Sequence, residues 1–261
     1  MLTEELGNKM TKRIDNELLA NERKRISQKD VFNKGKVIDD VLDKTTIMTL
    51  SNLISSGIIS YVNGGVGSGK ESKVYWAVDP AGRDIALKIY LVTTLNFKRK
   101  RTYLLGDPRF SRIKKGTRNM VELWAKKEFT NLKQCRKNGI PSAKPIHLLK
   151  NVLALEFVGK NGVPAKRLVE TEVDYNDYKS AISIITQLYK NAKLVHADFS
   201  EYNIFKTERG LIVFDLGSAV DTRHQRAKEF LERDINNISR FFVKRGLIVE
   251  NPSDIFSRIT K

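Results

Sequence analysis

Leu194-Val195-His196-Ala197-Asp198-Phe199-Ser200-Glu201-Tyr202-Asn203 is the most informative run in the chain, read together with the hairpin after it. A strand-like run covers Ile204 to Lys206, Gly210 marks a turn, and Leu211-Ile212-Val213-Phe214 reads as a second buried strand ending in Asp215-Leu216-Gly217. Two loops, each beside a short strand of one hairpin, therefore carry Asp198, Asn203 and Asp215. Phosphoryl transfer needs such a trio. One carboxylate positions the attacking hydroxyl, while a second carboxylate and an amide oxygen hold magnesium against the phosphates. Asp, Asn and Gly are also ordinary turn residues; the spacing of the whole stretch favours a site.

Working back toward the N-terminus, Gly64-Gly65-Val66-Gly67-Ser68-Gly69-Lys70-Glu71-Ser72-Lys73-Val74-Tyr75 admits two phosphate-binding readings. A P-loop fits Gly64, Gly69 and Lys70, but its magnesium-binding hydroxyl is replaced by Glu71, and the next residues are patterned as a strand rather than a helix. A kinase-type glycine loop fits Gly67, Gly69 and Val74, with Ser72 in place of the third glycine. Ile58 to Val62 reads as the strand before this turn and Ser72 to Val78 as the strand after it. Asp79-Pro80-Ala81-Gly82 is a turn, and Asp84 to Tyr90 is a third strand containing Ile85-Ala86-Leu87-Lys88. A lysine inside an apolar strand is costly to bury unless paired. Asn119 to Asn138, stopped by Gly139, reads as a helix with Glu128 on its apolar face, so Glu128 is the natural partner of Lys88, with Glu122 as the fallback. Ile146 to Leu149 and Val152 to Phe157 form a strand pair, after which Glu156-Phe157-Val158-Gly159 offers a hinge. Helices are predicted over Tyr178 to Lys193 and from about Gln225 to Lys244, with a short helical tail after Gly246. Arg233 and Asp234 are read as a local ion pair.

The chain carries a net charge of +17 from 47 Lys+Arg against 30 Asp+Glu, which predicts a polyanionic partner, RNA or a ribonucleoprotein foremost. The basic clusters Lys98-Arg99-Lys100-Arg101 and Lys114-Lys115-Gly116-Thr117-Arg118 fall in a long connection, residues 91–118, read as mobile and anion-seeking. The single cysteine, Cys135, excludes an internal disulfide framework and reads as a buried inert thiol. There is no signal-like start and no run approaching the ~20 apolar residues of a spanning helix. A cytoplasmic protein with no membrane partner is expected.

The order of glycine loop, strand lysine, helix glutamate, hinge, Asp198 with Asn203, and Asp215 is similar to that of protein kinases. Its details resemble the type-1 branch of the RIO family of atypical serine protein kinases. The resemblance is carried by Gly67 to Tyr75, Gly106-Asp107-Pro108-Arg109-Phe110, Leu194 to Asn203 and Phe230-Leu231-Glu232-Arg233-Asp234, and runs from about Thr45 to Gly246. It implies an α+β, bilobal kinase-like fold, with an N-lobe of antiparallel sheet plus helix over 57–157 and a mainly helical C-lobe over 158–261. Residues 1–56 read, from their own pattern, as a basic helical arm packed on the N-lobe, with a nucleic-acid-binding helical module as the alternative. The resemblance implies Asp198 as catalytic base, Asn203 and Asp215 as ligands of magnesium or manganese, and Asp215 as a phosphate acceptor. It implies that ATP is held by Lys88 with Glu128, by Gly67, Gly69, Lys70 and Ser72 of the glycine loop, by Ala86, and by the backbone of Glu156 and Val158. It also implies autophosphorylation in cis or trans, and work on the maturing small ribosomal subunit and its rRNA. Ala197 stands where ordinary kinases have arginine, and no Ala-Pro-Glu comes after Asp215. The activation segment and the peptide platform are therefore expected to be absent. An RNP-assembly ATPase and a small-molecule phosphotransferase on the same fold are the alternative readings.

Overall fold

The computed structural model describes residues 42–69, 71–92, 102–104, 106–110 and 116–261. Lys70, the first 41 residues of the expected arm and the run 98–101 lie outside the described residues.

The chain enters through helix α1 (Lys44–Ser55), started by Asp43, whose carboxylate accepts from the amides of Thr45 and Thr46. An acceptor at this position satisfies amides that have no partner inside the helix. Gly57, at φ +70°, lets the chain turn out of it. Five strands come next: β1 (Tyr61–Ser68), β2 (Ser72–Val78), β3 (Asp84–Tyr90), β4 (Pro145–Leu149) and β5 (Val152–Glu156). They form one antiparallel sheet in the order β1-β2-β3-β5-β4. Helix α2 (Thr117–Lys137) lies between β3 and β4 in sequence.

Strand β3 shows why this sequence makes a two-faced central strand. Side chains alternate across a strand. Ile85, Leu87 and Ile89 join Leu50 and Leu53 of α1 in one apolar core, while Ala86 and Tyr90 pack on the larger core that contains α2. Lys88 lies on that second face, among apolar neighbours. The β4–β5 turn is closed by Lys150 at φ +52° and by buried Asn151, whose amide donates to Thr46 Oγ1 and to the Tyr90 carbonyl, both at 2.9 Å.

Past the hinge, a small hairpin joins β6 (Gly159–Lys160) and β7 (Val163–Pro164). Helix α3 (Tyr175–Lys190) starts on Asp174, which shares a reciprocal cap with Asp177. Two short antiparallel pairs carry the loops of interest: β8 (Leu194–Val195) with β11 (Val220–Asp221), and β9 (Ile204–Thr207) with β10 (Gly210–Val213). Helices α4 (Ala227–Lys244) and α5 (Pro252–Thr260) close the C-lobe.

One expectation needs correction. The first strand begins at Tyr61 and continues through the glycines to Ser68, rather than spanning Ile58 to Val62. Ile59 is buried, 1% exposed, but in the turn between α1 and the sheet; its hydrophobicity serves the core, not a strand. In the connection 91–118, more than half of which lies outside the described residues, part of the described stretch packs into the core. Leu104, Asp107 and Phe110 are buried. Asp107 binds Arg109 through both carboxylate oxygens, and Arg109 Nη1 donates to Asn131 Oδ1 of α2 at 2.8 Å. Against its burial, Asp107 is held below the usual carboxylate range by that guanidinium. The adjoining residues reach the C-lobe, where the Asp221 amide donates to Asp107 Oδ2 and His224 Nε2 lies 3.1 Å from the Thr102 carbonyl.

Candidate active site

Lys88 is the centre of the site. Its ammonium donates to Glu128 Oε1 and Oε2 at 2.9 and 2.8 Å and to Asp215 Oδ1 at 2.8 Å. These partners are 40 and 127 residues away in sequence and come from α2 and from the loop after β10. Lys88 is 7% exposed and Glu128 fully buried, whereas the Asp215 side chain is 47% exposed. Burial opposes the ammonium, yet the charges of Asp215 and Glu128 outweigh it and Lys88 is held protonated. Burial pushes Glu128 up to about 7, against the pull of Lys88.

Asp198 and Asn203 sit together in the loop between β8 and β9. Asn203 Nδ2 donates to the Asp198 carbonyl at 2.9 Å and to Asp198 Oδ2 at 3.1 Å. Burial, then repulsion from Asp215, raises the Asp198 carboxyl. Ala197 and Asp215 adopt φ of +63° and +58°, the left-handed region that costs an L-residue energy unless its surroundings enforce it.

The enforcing residues are visible. Asp234 of α4 accepts from the amides of Ala197 at 2.7 Å and Phe199 at 3.0 Å, one on each carboxylate oxygen. Arg233 donates to the Ala197 carbonyl. The expected Arg233–Asp234 ion pair is thus not what the two residues chiefly make; both clasp the loop after β8. Burial pushes Asp234 up to about 7, with the two amides pulling the other way. His196, packed edge-on against Phe199, places Nε2 3.2 Å from the Phe214 carbonyl and so joins the two loops. Burial lowers its pKa to about 4, so it is neutral at physiological pH.

The loop after Asp215 is held from α2. Fully buried Lys127 donates to the carbonyls of Gly217, at 2.9 Å, and of Ala219. Asn131 Nδ2 donates to Leu216 and Ala219 carbonyls at 2.8 and 3.0 Å. Gly217 lies so close to α2 that a Cβ there would fall 2.8 Å from Trp124 Nε1, an approach open to glycine alone. Sequence reasoning misses Asp107, Lys127 and Asn131 in this work. The available signal is the four-residue spacing of Lys127 and Asn131, which puts both on one helix face.

The glycine loop is positioned differently. Gly67 pairs with Val74 in the β1–β2 ladder, and the Gly69 amide donates to the Ser72 carbonyl at 2.9 Å. Ala86 pairs with Trp76 on one side and Leu155 on the other, beside Lys88. At the hinge the Glu156 amide is taken by the Lys144 carbonyl and the Val158 carbonyl by the Ala165 amide. Cys135 is buried, and burial pushes its thiol up to about 12, well away from reactivity. Among the described residues no three His, Cys, Asp or Glu side chains gather as a metal cage, and no helix is long and apolar enough to cross a membrane.

The sequence of residues 73–254 matches the RIO domain family. The chain is 36% identical over 233 residues to the RIO-type serine/threonine-protein kinase Rio1 of Haloferax volcanii, covering 88% of this chain and 79% of that protein. It is 41% identical over 177 residues to the Rio1 of Thermoplasma acidophilum, covering 68% and 94%. Human serine/threonine-protein kinase RIO1 is 34% identical over 250 residues, and the match covers 92% of this chain but 44% of that protein. The chain spans about half the length of such eukaryotic relatives. Among solved structures, the Rio2 kinase of Chaetomium thermophilum superposes with a TM-score of 0.64 at 24% identity, covering 81% of this chain and 65% of that one. The same kinase in an ADP/Mg2+-phosphoaspartate complex gives 0.62 at 23%, covering 80% and 64%. Both likenesses bear on the fold, which is bilobal and kinase-like.

Proposed function

This chain belongs to the RIO family of serine/threonine protein kinases, and from that premise we propose that it transfers the γ-phosphoryl group of ATP, with magnesium, to a serine hydroxyl. The observation that carries the reading is the clasp of Lys88 on Glu128 and Asp215, because a buried ammonium is poised there between the two lobes. Asp198 takes the proton of the attacking serine as the new O–P bond forms, the bond to the β-phosphate oxygen breaks and ADP leaves. Its raised pKa brings it nearer the operating range of a base. Lys88 and the amides of the glycine loop hold the phosphates. We assign the Glu156 carbonyl and the Val158 amide at the hinge to the adenine edge.

Magnesium fits the donors present. It takes one or two protein oxygens and completes its octahedron with phosphates and water. The Asp215 carboxylate and the Asn203 carbonyl oxygen provide such a pair, since the Asn203 amide nitrogen is already committed to Asp198. When bound, the ion neutralises charge building on the transferred group.

A second reading is an ATPase cycle in which Asp215 attacks the γ-phosphorus, the bond to the β-phosphate oxygen breaks to release ADP, and water later hydrolyses the aspartyl-phosphate to the carboxylate and free phosphate. The accessible Asp215 carboxylate favours it. Only residues 218–226 separate the Asp215 loop from α4, too short a span for an activation segment or peptide platform. We place the protein's work on the pre-ribosomal small subunit, on the family resemblance and the +17 charge. Steep loss of RNA affinity with salt is the expected signature.

Radiolabelled ATP with purified protein tests the reading. Acid-stable label on serine supports the kinase, base-labile label on Asp215 the acyl-phosphate cycle, and free phosphate alone an ATPase. Asp198→Ala and Lys88→Ala should each abolish transfer; undiminished activity in both would refute the assignment.

A further inference from the structure

The nucleotide slot has a wall that the catalytic reading leaves unused. In the β2–β3 ladder Val74 pairs with Lys88 and Trp76 with Ala86. Directly opposed residues share a sheet face, as do residues two apart. Lys88 crosses the cleft to Asp215, so this is the cleft face, and Trp76 lies on it one pair nearer the hinge. The chain leaving the hinge doubles back through β6 and β7, and the tip of that hairpin, Asn161 and Gly162, lies against Trp76. A Cβ on Gly162 would fall 2.4 Å from the indole ring. Asp84 secures both sides of the contact. Its Oδ1 accepts the Trp76 indole N–H and its Oδ2 the Asn161 amide, each at 2.8 Å. A hairpin with two-residue strands does not hold together in water by itself; here docking on Trp76 and Asp84 gives it a fixed place.

We propose that Trp76, oriented by Asp84 and backed by Gly162, is the residue that closes the hinge end of the slot and sets affinity for the base and sugar of the nucleotide. The phosphates are left to Lys88. The proposal rests on the nucleotide-dependent function proposed for the site. An indole whose N–H is already satisfied, and which is pressed against backbone, is a rigid apolar wall, suited to an aromatic base. Anchoring the hairpin to the N-lobe also fixes the hinge backbone groups that face that base, so the ordering cost is met before binding.

Two measurements on the full chain test it together: calorimetric affinity for MgATP and for adenosine, and hydrogen exchange at the Asn161 amide without nucleotide. Trp76→Ala and Asp84→Ala should weaken adenosine and MgATP by the same factor, about tenfold, and speed exchange at Asn161. Trp76→Phe should recover much of the affinity. Lys88→Met should weaken MgATP and leave adenosine unchanged. Unaltered adenosine affinity in folded Trp76→Ala protein overturns the proposal, and so does a wild-type protein that binds nucleotide with Asn161 unprotected. A wild-type protein with Asn161 protected that binds neither ligand overturns the functional reading instead, and the nucleoside role with it.

Discussion

The two edges of the cleft to which the proposed function assigns the phosphates are built on opposite plans. The glycine edge, β1, is mostly exposed, with ladder irregularities between Val62 and Gly65 and between Gly65 and Gly67. The opposing loop, His196 to Asn203, is buried at His196, Ala197 and Phe199 and is gripped by side chains from α4. A strand edge rich in glycine adapts cheaply to a ligand. A loop holding residues at positive φ keeps its shape only because its surroundings over-determine it. On the proposed function, the chemistry is preorganised on the C-lobe side, and the fit to the nucleotide is left to the N-lobe side.

The sharpest way to break this contrast is to remove the grip. Asp234→Ala strands two buried amides, at about 1–3 kcal/mol each. The expected drop in melting midpoint is on the order of 10 °C. Turnover should collapse in the folded fraction, because Ala197 and Asp198 lose their enforced geometry, while nucleotide affinity falls much less. Differential scanning fluorimetry with a turnover assay at a temperature where the variant is folded checks both. A variant as stable and active as the wild type would mean the loop holds its own shape.

Next in size is the neutral His196 between the loops. Its folded pKa of about 4 lies below the ordinary 6.5. The contribution of neutral His196 is therefore fully present above pH 6.5 and is lost as pH falls from 6.5 through about 4, on the order of 3 kcal/mol in all. Glu128 and Asp234, both raised to about 7, act with the opposite sign, giving stability at low pH that fades as pH rises toward 7. Subtracting the denaturation free energy of His196→Gln from that of the wild type at each pH cancels the carboxyls. The remaining difference should shrink steadily from pH 6.5 to 4. A flat difference would show that burial does not hold the imidazole neutral.

How far the contrast is readable from sequence depends on the kind of interaction. Lys88 and Glu128 are legible because each is a charge on an otherwise apolar face, and such charges need each other. Strands β2 and β3 are legible at their true bounds because their patterns are unbroken. The beginning of β1 is not, because Ile58 and Ile59 look like a strand and Gly64 to Gly67 do not. Pairing with β2, a tertiary effect, overrides both local preferences. Asp234 misleads because its nearest charge in sequence, Arg233, is a more obvious partner than two amides in a distant loop. Lys127 looks like a solvated helix lysine, since what it binds is backbone carbonyl, and backbone leaves no trace in composition.

Lys127 gives a smaller, more selective test of the same idea. Lys127→Met removes the donor to the Gly217 and Ala219 carbonyls without adding bulk. Groups that orient a metal ligand are typically worth 10–100-fold in metal affinity or activity. The expected change is a rise in the magnesium concentration needed for half-maximal rate, by about 10-fold or more, with affinity for metal-free ATP nearly unchanged. Equal losses in both would instead mark Lys127 as general support for the fold.

The smallest expected effect lies on the other edge. A Cβ on Gly67 would meet Val74 Cβ at 3.7 Å, an ordinary contact, and Gly67 is not among the glycines at positive φ. Gly67→Ala should therefore shift stability by no more than about 1 kcal/mol. The KM for ATP should move a few-fold at most, with kcat close to wild type, because Asp198, Asn203 and Asp215 are positioned from elsewhere. A large fall in kcat would mean that the glycine edge takes part in orienting the reacting phosphate. The division between an adaptable N-lobe edge and a preset C-lobe edge would then not hold.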